Sequence, residues 1–269
     1  MAVLALHSAA TGLNALSTEI DVVANNLANV NTVGFKGSRV NFEDLIYQHR
    51  EQPGLENANG DQRPAGLQVG LGTRVSNTQL NLEQGSPNAT GRELDITIEG
   101  NGFLQVDILE EQGTGIGYTR AGNLFTNGEG ELVLGNSDGP RVEPGITIPP
   151  DASSVSINSS GIVSVMLPDA VDPQEVGQIE LATFVNPSGL SAIGGNVYVE
   201  TVASGPAITG TPGEGQFGTI LQGFVESSNV DPVKELVSLI KSQRAFELNS
   251  QTIQAADQIM QVVGNLRRF

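Results

Sequence analysis

The chain contains no cysteine and no tryptophan. It can therefore form no disulfide and offers no thiolate to a metal or to nucleophilic catalysis. Only two histidines occur, His7 in an apolar helical segment and His49 in a polar one, so a nucleophile–base pair has almost nothing to draw on. Basic residues are also scarce: 13 Lys and Arg stand against 30 Asp and Glu, a formal charge of −17. That balance repels phosphate backbones and anionic headgroups, which argues against nucleic-acid or membrane-surface binding. Between Arg141 and Lys234 there is no Lys or Arg at all, while carboxylates recur from Glu143 to Asp231. No Lys or Arg precedes Lys36 either. The apolar start MAVLALHSAA thus lacks the positive region of a signal peptide, and an uncleaved amino terminus is expected. No apolar run reaches the roughly 18 residues of a membrane-spanning helix, so membrane insertion is not expected.

The motifs of common enzymes are missing as well. The glycines of GTGIG, Gly113 to Gly117, do not complete a GxGxxG, and no Gly-Lys-Ser/Thr follows a glycine-rich turn. Glu110 and Glu111 are neighbours in a strand-like run, so they point to opposite faces and cannot share one glycosidic bond. No catalytic residue, cofactor or metal ligand is expected, and the chain does not read as an enzyme.

What remains is periodicity. Leu6, Ala9, Leu13, Leu16, Ile20, Val23, Leu27 and Val30 alternate at spacings of three and four, a heptad seam. A helix from Val3 to Asn29 would be about 40 Å long and could not cover that stripe by itself. Near the other end Leu239, Ser242, Phe246, Asn249, Ile253, Ala256, Met260 and Val263 repeat the alternation. Asp231 is placed to cap this second helix and Pro232 to begin it. Between the two lie short β-type runs separated by Gly, Pro and Asn, among them LDITIEG, GFLQVDIL, GIVSVML and QIELATFV. Asn127-Gly128 is expected as a hairpin turn. With aromatics at only 4%, the core is expected to be thin and aliphatic.

The expected fold is therefore α+β. Residues 1–46 and 224–269 form a coiled-coil-like domain of terminal helices, 47–69 a polar linker segment rich in turn formers, and 70–223 a mainly antiparallel β-domain. The amides Asn25, Asn26, Asn29 and Asn31 crowd the end of the first helix. A helix exit with Gly34 at positive φ accounts for one of them. Asn25 and Asn26 lie further in, where a buried amide must find donors and acceptors and can fix the register of a helix contact.

Three stretches carry a family resemblance. ANNLANVNTVGFK, Ala24 to Lys36, resembles the amino-terminal signature of bacterial flagellar rod and hook proteins. GFVESSNVDPVKELVSLIKSQRAFELNSQTIQAADQIMQ, Gly223 to Gln261, is similar to their carboxy-terminal signature. LDITIEGNGFLQV and GYTRAGNLFTNGEGELV look like their shared β-region. The run NFEDLIYQ, Asn41 to Gln48, and the segment after it look like the distal-rod branch of that family.

The resemblance implies a structural subunit of the distal rod that polymerises into a rigid, hollow, helical driveshaft carrying torque from motor to hook. It also implies passage through the flagellar type III export apparatus without a cleaved signal peptide, and a place in the periplasm-spanning basal body. The implied partners are further copies of the chain, proximal rod proteins, the hook protein, the outer rings and a rod-cap protein. The family's terminal helices form an inner tube. The implied subunit contacts are Leu13, Leu16, Ile20, Val23, Asn25, Asn26, Leu27, Asn29, Asn31, Gly34 and Phe35, together with Leu239, Phe246, Asn249, Ile253, Met260 and Val263. The segment Tyr47 to Gly66 is implied to be ordered between subunits, and the acidic stretch is expected on the outside, where like charge keeps a turning shaft off its bushing. Phe246 stands where the family commonly has Tyr.

Overall fold

The structure, a computed structural model, describes residues 2–54, 64–109, 115–168 and 172–266. Its order is α+β: an amino-terminal helix, a strand-rich middle and a carboxy-terminal helix. The chain divides into two compact units, each gathered from separate stretches. Residues 1–27, 38–79 and 231–269 make one unit, and 28–37 with 80–230 make the other.

The first unit is built on two long helices, α1 (Ala2–Ala28) and α2 (Pro232–Leu266). No proline interrupts either one after its first turn, and Ala and Leu supply strong helix propensity in α1. The start of α2 is fixed as expected: Val233 N and Lys234 N donate to Asp231 Oδ1 at 3.0 and 3.3 Å. The Lys234 amide, more than any other influence, holds the Asp231 carboxyl below its ordinary value.

Four strands complete this unit, β1 (Ser38–Asp44), β2 (Tyr47–Glu51), β3 (Leu67–Gly70) and β4 (Thr73–Leu80), with β1 paired to β4 and β2 antiparallel to β3. Polar side chains ladder across β1 and β4, where Arg39 donates to Gln79 and Asn41 Nδ2 donates to Asn77 Oδ1 at 2.7 Å. Part of the segment expected as a linker is thus a strand. Every side chain of β2 is exposed, so no alternation of apolar and polar residues marks it. Its order comes from backbone pairing, to which periodicity is blind.

At Gly72, φ is +118 and an added Cβ would lie 2.1 Å from Thr11 Oγ1 and 3.2 Å from Ser8 Cα. Only glycine lets the chain pass α1 this closely.

The second unit is antiparallel β. Its largest sheet runs in the order Ser191–Gly194, Val197–Val199, Ile116–Thr119, Phe103–Asp107, Leu181–Thr183, Ile208–Gly210, and Val142–Glu143 also pairs with Phe103–Asp107. Ser154–Ile157, Ile162–Met166 and Gln174–Gln178 make a three-stranded sheet. Beneath them Ile96, Leu104, Val106, Leu124, Leu132, Val142, Val163, Ile179 and Leu181 form an aliphatic core closed to solvent. Aromatics gather elsewhere: Phe103, Tyr118, Phe184 and Tyr198 pack edge to face, Tyr118 and Phe184 at 4.7 Å.

The expected hairpin forms, with Leu124–Thr126 paired to Leu132–Leu134. Its loop is longer than a two-residue turn, because Asn127 Oδ1 accepts from both Glu129 N and Glu131 N and Gly130, not Gly128, takes positive φ. Glu110, Glu111 and the first residues of GTGIG lie outside the described residues.

Candidate assembly surfaces

Two cross-helix approaches set the relation of α1 to α2 within the first unit. A Cβ added at Gly12 would sit 3.1 Å from Asn249 Nδ2, and Asn26 Nδ2 lies 3.4 Å from Glu235 Oε1. An advance of 14 residues on α1 (12 to 26) matches a retreat of 14 on α2 (249 to 235), so the helices run antiparallel. The best-shielded positions on α1 are Ala9, Gly12, Ala15, Val23 and Asn26, and on α2 Ser242 and Ala256. Small side chains therefore dominate the contact inside the chain.

The larger residues of the expected seams are less covered. Leu13, Leu16, Ile20, Leu27, Leu239, Asn249 and Ile253 are half-buried, and Phe246 and Met260 are exposed. The side chain of Val263 lies outside the described residues. The shielded face of α1 is turned from the Leu/Ile stripe toward the small residues. That leaves apolar surface that the described residues of a single chain do not cover.

α2 carries a second apolar face. Val233, Leu236, Val237, Ile240, Leu248, Ile259 and Val262 are all exposed, Ile240 at 52% and Leu248 at 63%. At 3.6 residues per turn Val233, Leu236, Val237, Ile240 and Val262 fall roughly opposite the Ser242–Asn249–Ala256 face, while Leu248 and Ile259 lie on its flank. Among the described residues, no helix is long and apolar enough to cross a membrane.

The amides sort by burial. Asn26 is only 3% exposed, and it trades two hydrogen bonds with one residue: Nδ2 donates to Ser38 O at 2.8 Å and Ser38 N donates to Oδ1 at 2.9 Å. The side chain thereby acts as a one-residue strand partner that pins the start of β1 to α1. Burial raises the Glu235 carboxyl above its ordinary value, against the opposing hydrogen bond from Asn26. Asn29 turns the chain after α1 by accepting Thr32 N at its carbonyl and Thr32 Oγ1 at its amide, each at 3.1 Å. Asn25 and Asn31 are exposed. Gly34, buried with φ +69, places its N–H 2.7 Å from Glu226 O, and Phe35 is half-buried.

The second unit contains a cluster that motif reading missed. Glu226 is closed to solvent and accepts from Lys36 Nζ at 2.6 Å, Gly85 N at 2.8 Å and Arg120 Nη1 at 3.4 Å. Lys36 Nζ also donates to Glu83 O at 2.7 Å, and Arg120 Nη2 to Gly100 O at 2.7 Å. Burial pulls the Lys36 ammonium below its ordinary value, more strongly than Glu226 holds it up, and it lowers Arg120 as well. The cluster unites one charge from each of the three signature stretches, VGFK, YTRAG and GFVESS. The legible signal was a lone charge set among apolar residues and glycine in each stretch, a position that burial makes costly unless it is paired.

Family profiles match three stretches: "Flagella basal body rod protein" at residues 6–36, "Flagellar hook protein FlgE/F/G D1 domain" at 97–165, and "Flagellar basal body rod FlgEFG protein C-terminal" at 221–266. Proteins named flagellar basal-body rod protein FlgG are similar along nearly the whole chain. The one from Caulobacter vibrioides is 46% identical, covering 98% of this chain and 99% of its own. That from Borreliella burgdorferi is 44% identical over 98% of both chains, and that from Bacillus subtilis 39% identical over 98% of both.

Proposed function

The chain belongs to the flagellar basal-body rod family, and from that premise we propose that it polymerises, as a subunit of the distal rod, into a rigid hollow driveshaft that transmits torque to the hook. The role is structural, not enzymatic. The observation that carries the assembly mechanism is the exposed apolar surface of α2, with Leu236, Val237 and Ile240 opposite the face that meets α1 and Leu248 and Ile259 on its flank. Burying each such side chain contributes about 1.5–3 kcal/mol, a drive satisfied by neighbouring copies. A contact of this heterologous kind repeats along a helix when it does not close into a ring.

In the polymer the helices pack as a coiled-coil-like inner tube. The half-buried residues Leu13, Leu16, Ile20, Leu27, Leu239 and Ile253 and the exposed Phe246 and Met260 become buried between subunits, and Asn25, Asn31 and Asn249 select the register. The segment 47–69 adds contacts between neighbours. The chain is exported uncleaved through the type III apparatus, joins proximal rod proteins below and hook protein above, grows under a rod-cap protein and turns inside the outer rings.

Replacing Ile240 and Leu248 together with Asp tests this reading. The expected outcome is a soluble monomer of unchanged helicity by circular dichroism, with no tubes by electron microscopy and no motility. Normal tubes from the doubly charged variant would overturn it.

A further inference from the structure

The second unit carries an open cleft of about 300 Å³ walled by Leu82, Phe103, Arg120, Phe184, Val185 and Gln216. We propose that this cleft receives a carboxylate-bearing apolar segment of a second copy of the chain, an inference that rests on the polymeric reading above and goes beyond the helix contacts.

Charge supplies the first argument. The stretch from residue 142 to 233 has no basic side chain, so copies of this chain meet as like charges unless a local cation receives the incoming carboxylate. Arg120 is that cation. Glu226 is held by Lys36 at 2.6 Å and only more distantly by Arg120 at 3.4 Å, so one carboxylate faces two cations and the cluster keeps one surplus positive charge. Arg120 Nε finds no acceptor among the described residues.

Shape and composition supply the second. Two rings line this cleft, Phe103 and Phe184, each packed edge to face against a further ring, Tyr198 and Tyr118 respectively, and the Arg120 guanidinium lies 5.4 Å from the Phe103 ring centroid. Aromatic rings beside a cation in a concave site are the combination that anchors protein interfaces. Val185 stands 81% exposed at the mouth, an apolar rim that the described residues leave uncovered. Gln216, also in the wall, donates to Thr183 Oγ1 at 2.9 Å.

Arg120 is too deeply placed to substitute safely, so the test uses the rim. In the full-length chain Val185→Glu sets a carboxylate against the incoming one, Val185→Lys attracts it, and Val185→Gln controls for polarity. Relative to Val185→Gln, the critical concentration for polymerisation is expected to rise about tenfold for Val185→Glu and to fall for Val185→Lys. Because the chain has no cysteine, Val185→Cys can carry a single benzophenone. Photolysis of the polymer is expected to join it to an Asp- or Glu-containing peptide of another copy.

Equal critical concentrations for the three variants, or cross-links confined to one chain, overturn the cleft while leaving the rod intact. A wild-type chain that never polymerises overturns the rod reading itself, and this inference falls with it.

Discussion

Lys36 and Glu226 lie 190 residues apart in the chain, yet their side chains meet at 2.6 Å out of reach of solvent. The pair joins the stretch leaving α1 to the stretch entering α2, and Arg120 completes it from the β-region.

Because one carboxylate serves two cations, the cluster is asymmetric. Glu226→Gln strands Lys36 and Arg120 as buried unpaired cations and is expected to cost about 3–5 kcal/mol in urea unfolding. Lys36→Met leaves the Arg120–Glu226 pair in place and should cost less. The reverse order would show that Arg120 does not contribute.

Tyr198 gives a pH dependence with a definite sign. Burial pushes its hydroxyl up to about 12 from an ordinary 10.0. Between those values the unfolded chain has lost this proton and the folded chain keeps it. The contribution of Tyr198 is therefore full below pH 10 and is lost as pH rises toward 12, by roughly 2–3 kcal/mol. Lys36, lowered by burial, acts in the opposite direction, so the measurement is the difference in unfolding free energy between wild type and Tyr198→Phe across this range. Absorbance titration of the phenolates should show one tyrosine ionising last, and Tyr198→Phe should remove that step.

Gly34 and Gly91 separate backbone strain from crowding. Their φ values are +69 and +71, but a Cβ at Gly34 would lie 2.6 Å from Ala121 N while one at Gly91 meets nothing within 4 Å. Gly91→Ala should cost about 1 kcal/mol through its left-handed backbone alone. Gly34→Ala should cost a further 1–3 kcal/mol or so, since backbone must move to admit it. Thermal melts of the two variants check the difference.

Asn26→Ala removes both partners of the Ser38 backbone at once. A loss of about 1–3 kcal/mol is expected, with the Ser38 amide exchanging hydrogen faster than its neighbours on β1. Asn26→Asp keeps the acceptor for Ser38 N but turns the other oxygen against Ser38 O and Glu235. Its defect should ease as pH falls and these carboxyls take up protons.

Local features were legible and distant ones were not. Both helices, the Asp231 cap and the Leu124–Leu134 hairpin are written in periodicities and turn residues a few positions apart. The register of α1 against α2 is not, because it depends on where Gly12 and Asn249 meet. The heptad seam is centred on Leu and Ile, whereas the contact inside one chain shares only Ala9 and Val23 with it on α1 and adds Gly12, Ala15 and Asn26. β2 is hidden for another reason: its residues are exposed on both faces, and backbone pairing leaves no mark in side-chain pattern. The Glu226 cluster escaped because long-range pairing is not encoded in spacing, although each member was already within a quoted motif.

Neither compact unit is a continuous length of chain. The polypeptide passes from one to the other after residues 27, 37, 79 and 230. Four covalent links therefore join them, where two beads on a string would share one. Each unit closes only when stretches far apart in sequence come together: the helical unit needs residues 2–27 as well as 231–266, and the β unit needs 28–37 as well as 80–230. Completing either one therefore means closing long loops, so the last steps of folding are non-local in both.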